Sequence, residues 1–183
     1  MNIEDIQKFD PQKMYQTYDD WPTYAKNALK KEFSKVQFKD VDHVVLAGMG
    51  GSGAIGDIIS AILSRENIHV SNVKGYLLPK TVDKRTLVIA TSISGNTKET
   101  LSILDYKSKS DAEFVAISSG GVMKEKCFNN SITHYDIPMI HSPRASFGAF
   151  LYSILNIFED VLPIKKAEVS ESIQKMNELE KKI

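Results

Sequence analysis

“TLVIATSISGNTKETL” (residues 86–101) contains an apolar run, a glycine set among hydroxyls, and the start of a helical pattern. The apolar run, 86–91, reads as a buried strand, and 97–107 reads as a helix. An earlier stretch repeats the layout. “HVVLAG” (43–48) is a short apolar strand ending in glycine, and the segment 53–66 carries Ile55, Ile58, Ile59, Ile62 and Leu63 at helical spacing. Further strands are expected at 68–72, 113–118 and 132–136, with helices at 121–127, 146–160 and 167–182. Short buried strands alternating with helices build βαβ units. The expected fold class is therefore α/β, a doubly wound parallel sheet of about five strands flanked by helices. Ligands of such sheets bind beyond the carboxyl ends of the strands, near the point where the winding reverses. The residues that follow each strand are thus the candidates for function.

The rest of the chain sets bounds on that function. Its 183 residues suffice for one domain with a sizeable core. Hydrophobic content of 42% and charged content of 25% are ordinary for a soluble globular protein. Lys+Arg and Asp+Glu both number 23, giving no basic excess for a nucleic acid or an anionic membrane. A small anion remains possible, because backbone amides bind one without net charge. The single cysteine, Cys127, allows no intramolecular disulfide and has no base beside it, so it reads as structural. “MNIEDIQKFDPQ” (1–12) lacks a basic-then-apolar layout, and “FGAFLYSILNIF” (147–158) is too short to span a bilayer. The expected location is the cytoplasm.

Three segments follow from the patterning. Residues 1–39 read as a surface-lying helical extension, including an amphipathic helix over 21–36 with Pro22 near its start. Residues 40–163 carry the alternating pattern. Residues 164–183 read as a charged helix with a thin apolar stripe of Val169, Ile173, Met176, Leu179 and Ile183. That helix either packs on the domain or connects to another domain or chain.

Two glycine loops carry the candidate chemistry. Gly48, Gly50 and Gly53 in “GMGGSG” (48–53) satisfy G-x-G-x-x-G, which lets a backbone turn tightly against an anion at a helix start. A dinucleotide would also want an acidic residue after the second strand. “HVSNVKGY” (69–76) has none, although Ser71 or Lys74 could suit a 2′-phosphate. “TSISGNT” (91–97) then offers four hydroxyls, Thr91, Ser92, Ser94 and Thr97. A phosphate monoester has three acceptor oxygens, and hydroxyls and helix-start amides are donors. Two donor loops at neighbouring strand ends suit one small dianion. The plainer reading is that Ser94 and Thr97 cap the following helix, but capping accounts for one hydroxyl rather than four.

“GMGGSGAIGD” (48–57) followed by “SISGNTKETL” (92–101) resembles the sugar isomerase, or SIS, domain. With “SPRASFGAFLYSIL” (142–155) added, the chain is similar to the bifunctional phosphoglucose/phosphomannose isomerases over roughly residues 40–160. The resemblance implies an aldose–ketose isomerisation. Glucose 6-phosphate or mannose 6-phosphate would interconvert with fructose 6-phosphate through a cis-enediol, with no metal or other cofactor. It implies phosphate-binding hydroxyls at Ser52, Ser92, Ser94 and Thr97. It also implies a turn against the sugar at Gly50 and Gly51, and an active-site arginine at Arg144. Physical chemistry agrees on Arg144. A developing enediolate calls for a fixed cation, and a guanidinium is not titrated by the proton transfers around it. An arginine near a helix start opposes the dipole, which argues for a functional reason, and Pro143 restricts its approach.

The resemblance also places a catalytic glutamate, histidine and lysine in a second half of the family's chain, and no position here corresponds to them. This chain is expected to carry the phosphate-binding half of a site and to lack the proton-transfer half unless a second SIS domain or a second copy supplies it. Local substitutes are poor. Glu99 reads as a capping or surface residue, His141 as a solvated loop residue, and His43, His69 and His134 as structural. No cluster has metal-ligand spacing. A phosphosugar-sensing module and an NADP-binding domain remain as alternatives.

Overall fold

A computed structural model of the chain describes residues 3–36 and 38–180. Among them five strands form one all-parallel sheet: β1 (His43–Ala47), β2 (His69–Val73), β3 (Thr86–Ser92), β4 (Glu113–Ser118) and β5 (Thr133–Asp136). Their spatial order is β2-β1-β3-β4-β5. Seven residues of β3 in sequence are buried, because the sheet is covered on both faces. Alternate side chains separate cleanly. Val44, Leu46, Leu87, Ile89, Val115 and Ile117 join one core, while Val45, Ala47, Val88, Ala90, Phe114 and Ala116 join the other.

The first face is covered by α3 (Trp21–Lys30), α4 (Gly50–Leu63), α7 (Phe147–Ile157) and α8 (Lys166–Glu180). The second is covered by α5 (Lys98–Leu104) and α6 (Gly121–Asn129). Two short helices, α1 (Ile3–Phe9) and α2 (Met14–Asp19), precede α3, and a 3-10 turn at Asp105–Lys109 follows α5. Cys127 lies wholly inside the second core, where burial raises its thiol pKa to about 11. It is therefore held as a thiol and has no nucleophilic character.

Of the N-terminal helices α1 and α2 lie largely at the surface, whereas α3 departs from the expected surface position. Ala25 is fully buried and Ala28 nearly so, and α3 packs along α7. Trp21 stacks on Phe147 at 5.9 Å, and its Nε1 donates to the Ala145 carbonyl at 2.7 Å. The helix expected over 21–36 stops at Lys30. Asn156 Nδ2 on α7 donates to the carbonyls of Ala28 and Lys31, each at 2.9 Å, so the last turn of α3 finds its partner in a side chain. Val169, Ile173 and Met176 of α8 pack on the first core, whereas Leu179 is exposed. Ile183 of the expected stripe lies outside the described residues, as do Met1, Asn2, Gln37 and residues 181–182.

Backbone contact sets the position of the turns at the carboxyl edge. The start of α4 presses on the end of β1, and a Cβ at Gly53 would stand 2.9 Å from the Gly48 carbonyl oxygen. Gly95 has φ +71 and seats on the Gly120 carbonyl so closely that no methyl group fits between them. At the opposite edge His43, 5% exposed, is paired in register with His69 and with Thr86. The two imidazoles are 4.7 Å apart, with Ser71 Oγ 3.0 Å from His43 Nε2 and 3.3 Å from His69 Nε2.

Two outcomes follow from this packing. Gly95→Ala combines left-handed strain with a backbone clash and should cost about 3 kcal/mol, a fall in Tm of roughly 6–12 °C. Gly75→Ala meets no atom within 4 Å and should change stability by less than about 0.5 kcal/mol. Equal melting curves for the two variants would refute the clash. Burial, and then the neighbouring His69, hold His43 below its ordinary pKa of 6.5 against the opposing pull of Asp83 and Asp42. The unfolded chain therefore takes up the proton first. The stability this group contributes is complete above about pH 6.5 and is lost as acidification proceeds through its lower folded-state value. His134, depressed by burial as well, adds to the same window. Denaturant titrations between about pH 7 and about pH 5 should show falling stability, with a shallower fall in His43→Asn. An unchanged slope in that variant removes His43 from the account.

Candidate functional site

β1 and β3 are neighbours, yet the helices that follow them leave to opposite faces, α4 to one and α5 to the other. The loops after these strands thus flank a crevice at the carboxyl edge, the position at which parallel sheets of this winding accept ligands. One bond ties the loops together. The Ile93 amide, in the loop after β3, donates to Ser52 Oγ, in the first turn of α4, at 3.3 Å.

The helix expected from 53 begins at Gly50, because the Gly53 amide already donates to the Met49 carbonyl. Gly50 and Gly51 therefore belong to the first turn of α4. The amides of Gly50, Gly51 and Ser52 precede the first bond within the helix, and no side chain caps this end. A Cβ added to Gly50 or Gly51 would meet no atom within 4 Å, so both backbones stand against open space. Fourteen residues of aligned peptide dipoles add a positive potential at this end.

The hydroxyls can be accounted for singly. Each has one hydrogen and two lone pairs. Ser52 Oγ accepts from Ile93. Ser94 Oγ accepts from the Asn96 amide at 3.3 Å, and Thr97 Oγ1 accepts from Ser92 Oγ at 2.9 Å. Each of Ser52, Ser94 and Thr97 has thus used a lone pair and keeps its hydrogen for an outside acceptor. Ser92 is the last residue of β3, only 1% exposed, and its own hydrogen is directed onto Thr97. Thr91 is buried within β3. Thr97 occupies the cap position of α5, but no side-chain bond reaches the helix amides from there. The capping alternative therefore does not account for its hydroxyl.

A third turn, which the sequence reading had not singled out, holds the loop from behind. Ser119 donates to the Ile93 carbonyl from its amide at 3.0 Å and from its hydroxyl at 2.7 Å. The Met123 amide donates to the Gly95 carbonyl at 2.9 Å, and the Val122 amide to Asn96 Oδ1 at 3.1 Å. The signal in the sequence was Gly120-Gly121 directly after a strand, a third glycine turn on the same edge.

Of the remaining candidates Lys74 lies against the first glycine loop, its Cε 3.2 Å from where a Cβ on Gly53 would stand, and Glu99 sits in the first turn of α5. Arg144 is exposed on the turn before α7, and among the described residues no hydrogen bond or ion pair holds its guanidinium. His141 is exposed with φ +56. Glu99 stands beside Tyr76, and its charge raises the pKa of that phenol. Lys74 is paired with Asp57 at 2.7 Å and Ser71 sits between the two histidines, so both residues suggested for a 2′-phosphate are already engaged. Among the described residues no group of three or more His, Cys, Asp or Glu could hold a metal, and no helix is long and apolar enough to cross a membrane.

Known proteins resemble the chain in sequence and in fold. The chain is 34% identical over 147 residues to the bifunctional phosphoglucose/phosphomannose isomerase of Caldicellulosiruptor bescii, covering 79% of this chain and 43% of that one. It is 37% identical over 140 residues to the same enzyme of Thermoplasma volcanium, covering 76% and 43%. It therefore spans less than half the length of these curated relatives. Glucosamine-6-phosphate deaminase of Thermotoga maritima shares the fold with a TM-score of 0.66 at 18% identity, over 90% of this chain and 53% of that structure. The family model of the SIS domain matches residues 37–156, which contain all five strands and both glycine loops. The chain belongs to the SIS domain family.

Proposed function

We propose that this chain is the phosphosugar-binding part of a cytoplasmic glucose 6-phosphate/mannose 6-phosphate isomerase. The observation that carries the reading is the Ser52–Ile93 bond. It joins the start of α4 to the β3 loop and leaves the hydroxyl hydrogens of Ser52, Ser94 and Thr97 free at one switch point. Those hydrogens, with the amides of Gly50, Gly51 and Ser52, make a donor set for a phosphate monoester and need no net positive charge. Ser92 orients Thr97 from beneath. The open backbones of Gly50 and Gly51 leave room for the sugar ring.

In this reading the phosphate anchors the sugar while a proton moves between C1 and C2. Negative charge then develops on the enediolate oxygens. Arg144, charged and uncommitted on its turn, stabilises that charge. The base that moves the proton comes from a second SIS-like half or a second copy of the chain, because Glu99, the carboxylate weighed for the role here, stands against the Tyr76 phenol. The exposed Ile58 and Ile62, one turn apart on α4, give such a partner an apolar surface.

Backbone amide NMR of the chain during addition of fructose 6-phosphate tests the binding, with NADP as the control. Shifts at Gly50–Ser52 and Ser92–Thr97 with the sugar phosphate alone are the expected result. Shifts with NADP alone would replace the reading with dinucleotide binding. Once the proton-transfer half is supplied, Arg144→Ala should lower kcat on the order of 10²–10³-fold and leave phosphosugar affinity within about threefold. Equal losses in affinity and turnover would make Arg144 a binding residue instead.

A further inference from the structure

We propose that His134 is a positioning residue for the β3 loop, acting through Ser118 and the Gly120–Gly121 turn to set the backbone on which Ser94 and Thr97 stand. The relevance to ligand binding rests on the phosphate reading above, whereas the mechanical relay does not. Ser118 ends β4 and is fully buried. Its hydroxyl donates to the Gly120 carbonyl at 2.8 Å and accepts from the Gly120 amide at 3.1 Å. His134 Nε2, on β5, lies 2.8 Å away. With the hydroxyl hydrogen on Gly120, the second lone pair takes a hydrogen from His134 Nε2, and all three bonding positions of the Ser118 oxygen are filled. Burial favours the neutral imidazole, and this network assigns its hydrogen to Nε2.

The turn held in this way is made of two residues with positive φ, Gly120 at +114 and Gly121 at +64. Such a turn has few conformational restraints of its own, since glycine occupies both signs of φ with similar ease. Ser118 supplies the restraint by bonding both the amide and the carbonyl of Gly120. The turn in turn fixes the loop. Gly95 seats directly on the Gly120 carbonyl, and a Cβ on Gly121 would stand 2.7 Å from the Ser94 carbonyl oxygen. The bonds from Met123 to Gly95 and from Val122 to Asn96 complete the contact. A shift of a few tenths of an ångström at Gly120 has no slack to absorb it before it reaches Ser94. His134 thus acts on the loop through Ser118, the glycine turn and Gly95, and makes no hydrogen bond to Ser52, Ser94 or Thr97 itself.

The test uses the full chain as wild type, His134→Ala, His134→Gln and Ser118→Ala. Amide hydrogen exchange is measured without ligand, followed by titration with fructose 6-phosphate. In His134→Ala the amides of Ser119, Val122 and Met123 should exchange about tenfold faster or more, while that of Phe150 on α7 keeps its wild-type rate. Phosphosugar affinity should fall roughly five- to tenfold, as for one lost buried hydrogen bond. His134→Gln, which can return an N–H to Ser118, should recover most of both effects. Ser118→Ala, which also removes both Gly120 bonds, should loosen the turn at least as much as His134→Ala, and adding His134→Ala to it in a double variant should change little further. Wild-type exchange at Ser119, Val122 and Met123 in His134→Ala overturns the relay, as does acceleration spread evenly to Phe150. A loosened turn with unchanged affinity overturns the positioning role. If the turn loosens as expected but wild-type protein shows no shifts with fructose 6-phosphate, the relay stands and the phosphate reading fails.

Discussion

The pairing of β1 with β3 is the constraint from which the rest of the site follows. Their parallel register runs from His43 opposite Thr86 to Ala47 opposite Ala90, so β1 ends two residues short of the end of β3 at Ser92. The chain leaves β1 toward one face and β3 toward the other, which opens a crevice between two loops at that edge. The glycines are the response to that crowding. Gly53 lets α4 begin against the end of β1, and Gly95 lets the β3 loop rest on the turn after β4. Each close approach exposes backbone amides and short hydroxyl side chains where a larger residue would have filled the space.

Hydrogen-bond saturation gives the crevice its chemical character. Each hydroxyl with a place at the rim accepts one bond from inside the protein, which fixes the oxygen and leaves the hydrogen outward-donating. The buried hydroxyls beneath, Ser92 and Ser118, are donors and acceptors within the protein and orient the rim. The result is a neutral donor set, consistent with a chain whose charges balance at 23 of each sign. Oriented dipoles and unbonded amides give the start of α4 a positive potential without a side-chain charge, and Arg144 is exposed on the turn before α7.

Much of this was legible from residue order. The central strands β1, β3 and β4 are largely apolar because both faces of the sheet are covered there, while the edge strands β2 and β5 are polar and partly exposed, and the helices show their period in Ile55, Ile59 and Leu63. Boundaries were less legible. The start of α4 at Gly50 contradicts glycine's low helix propensity and follows from packing of the first turn on β1. The end of α3 at Lys30 depends on the Asn156 side chain, more than a hundred residues away in sequence. The burial of Ala25 against α7 depends on the same docking, because the amphipathic pattern over 21–36 gives α3 an apolar face without naming the helix that covers it.

For the site, residue order alone determined that hydroxyls and glycines cluster after two strands of a parallel sheet, since that is a matter of composition and period. Tertiary structure decided which hydroxyl does what. Whether Thr97 caps its helix or keeps a free hydrogen depends on Ser92 lying 2.9 Å from it across a folded loop. Whether the two glycine loops form one donor set depends on Ser52 reaching Ile93, forty-one positions away. The turn at Gly120–Gly121 had no visible role in the sequence because its function is a close contact with Gly95, and contact between distant residues exists only once the strands are paired.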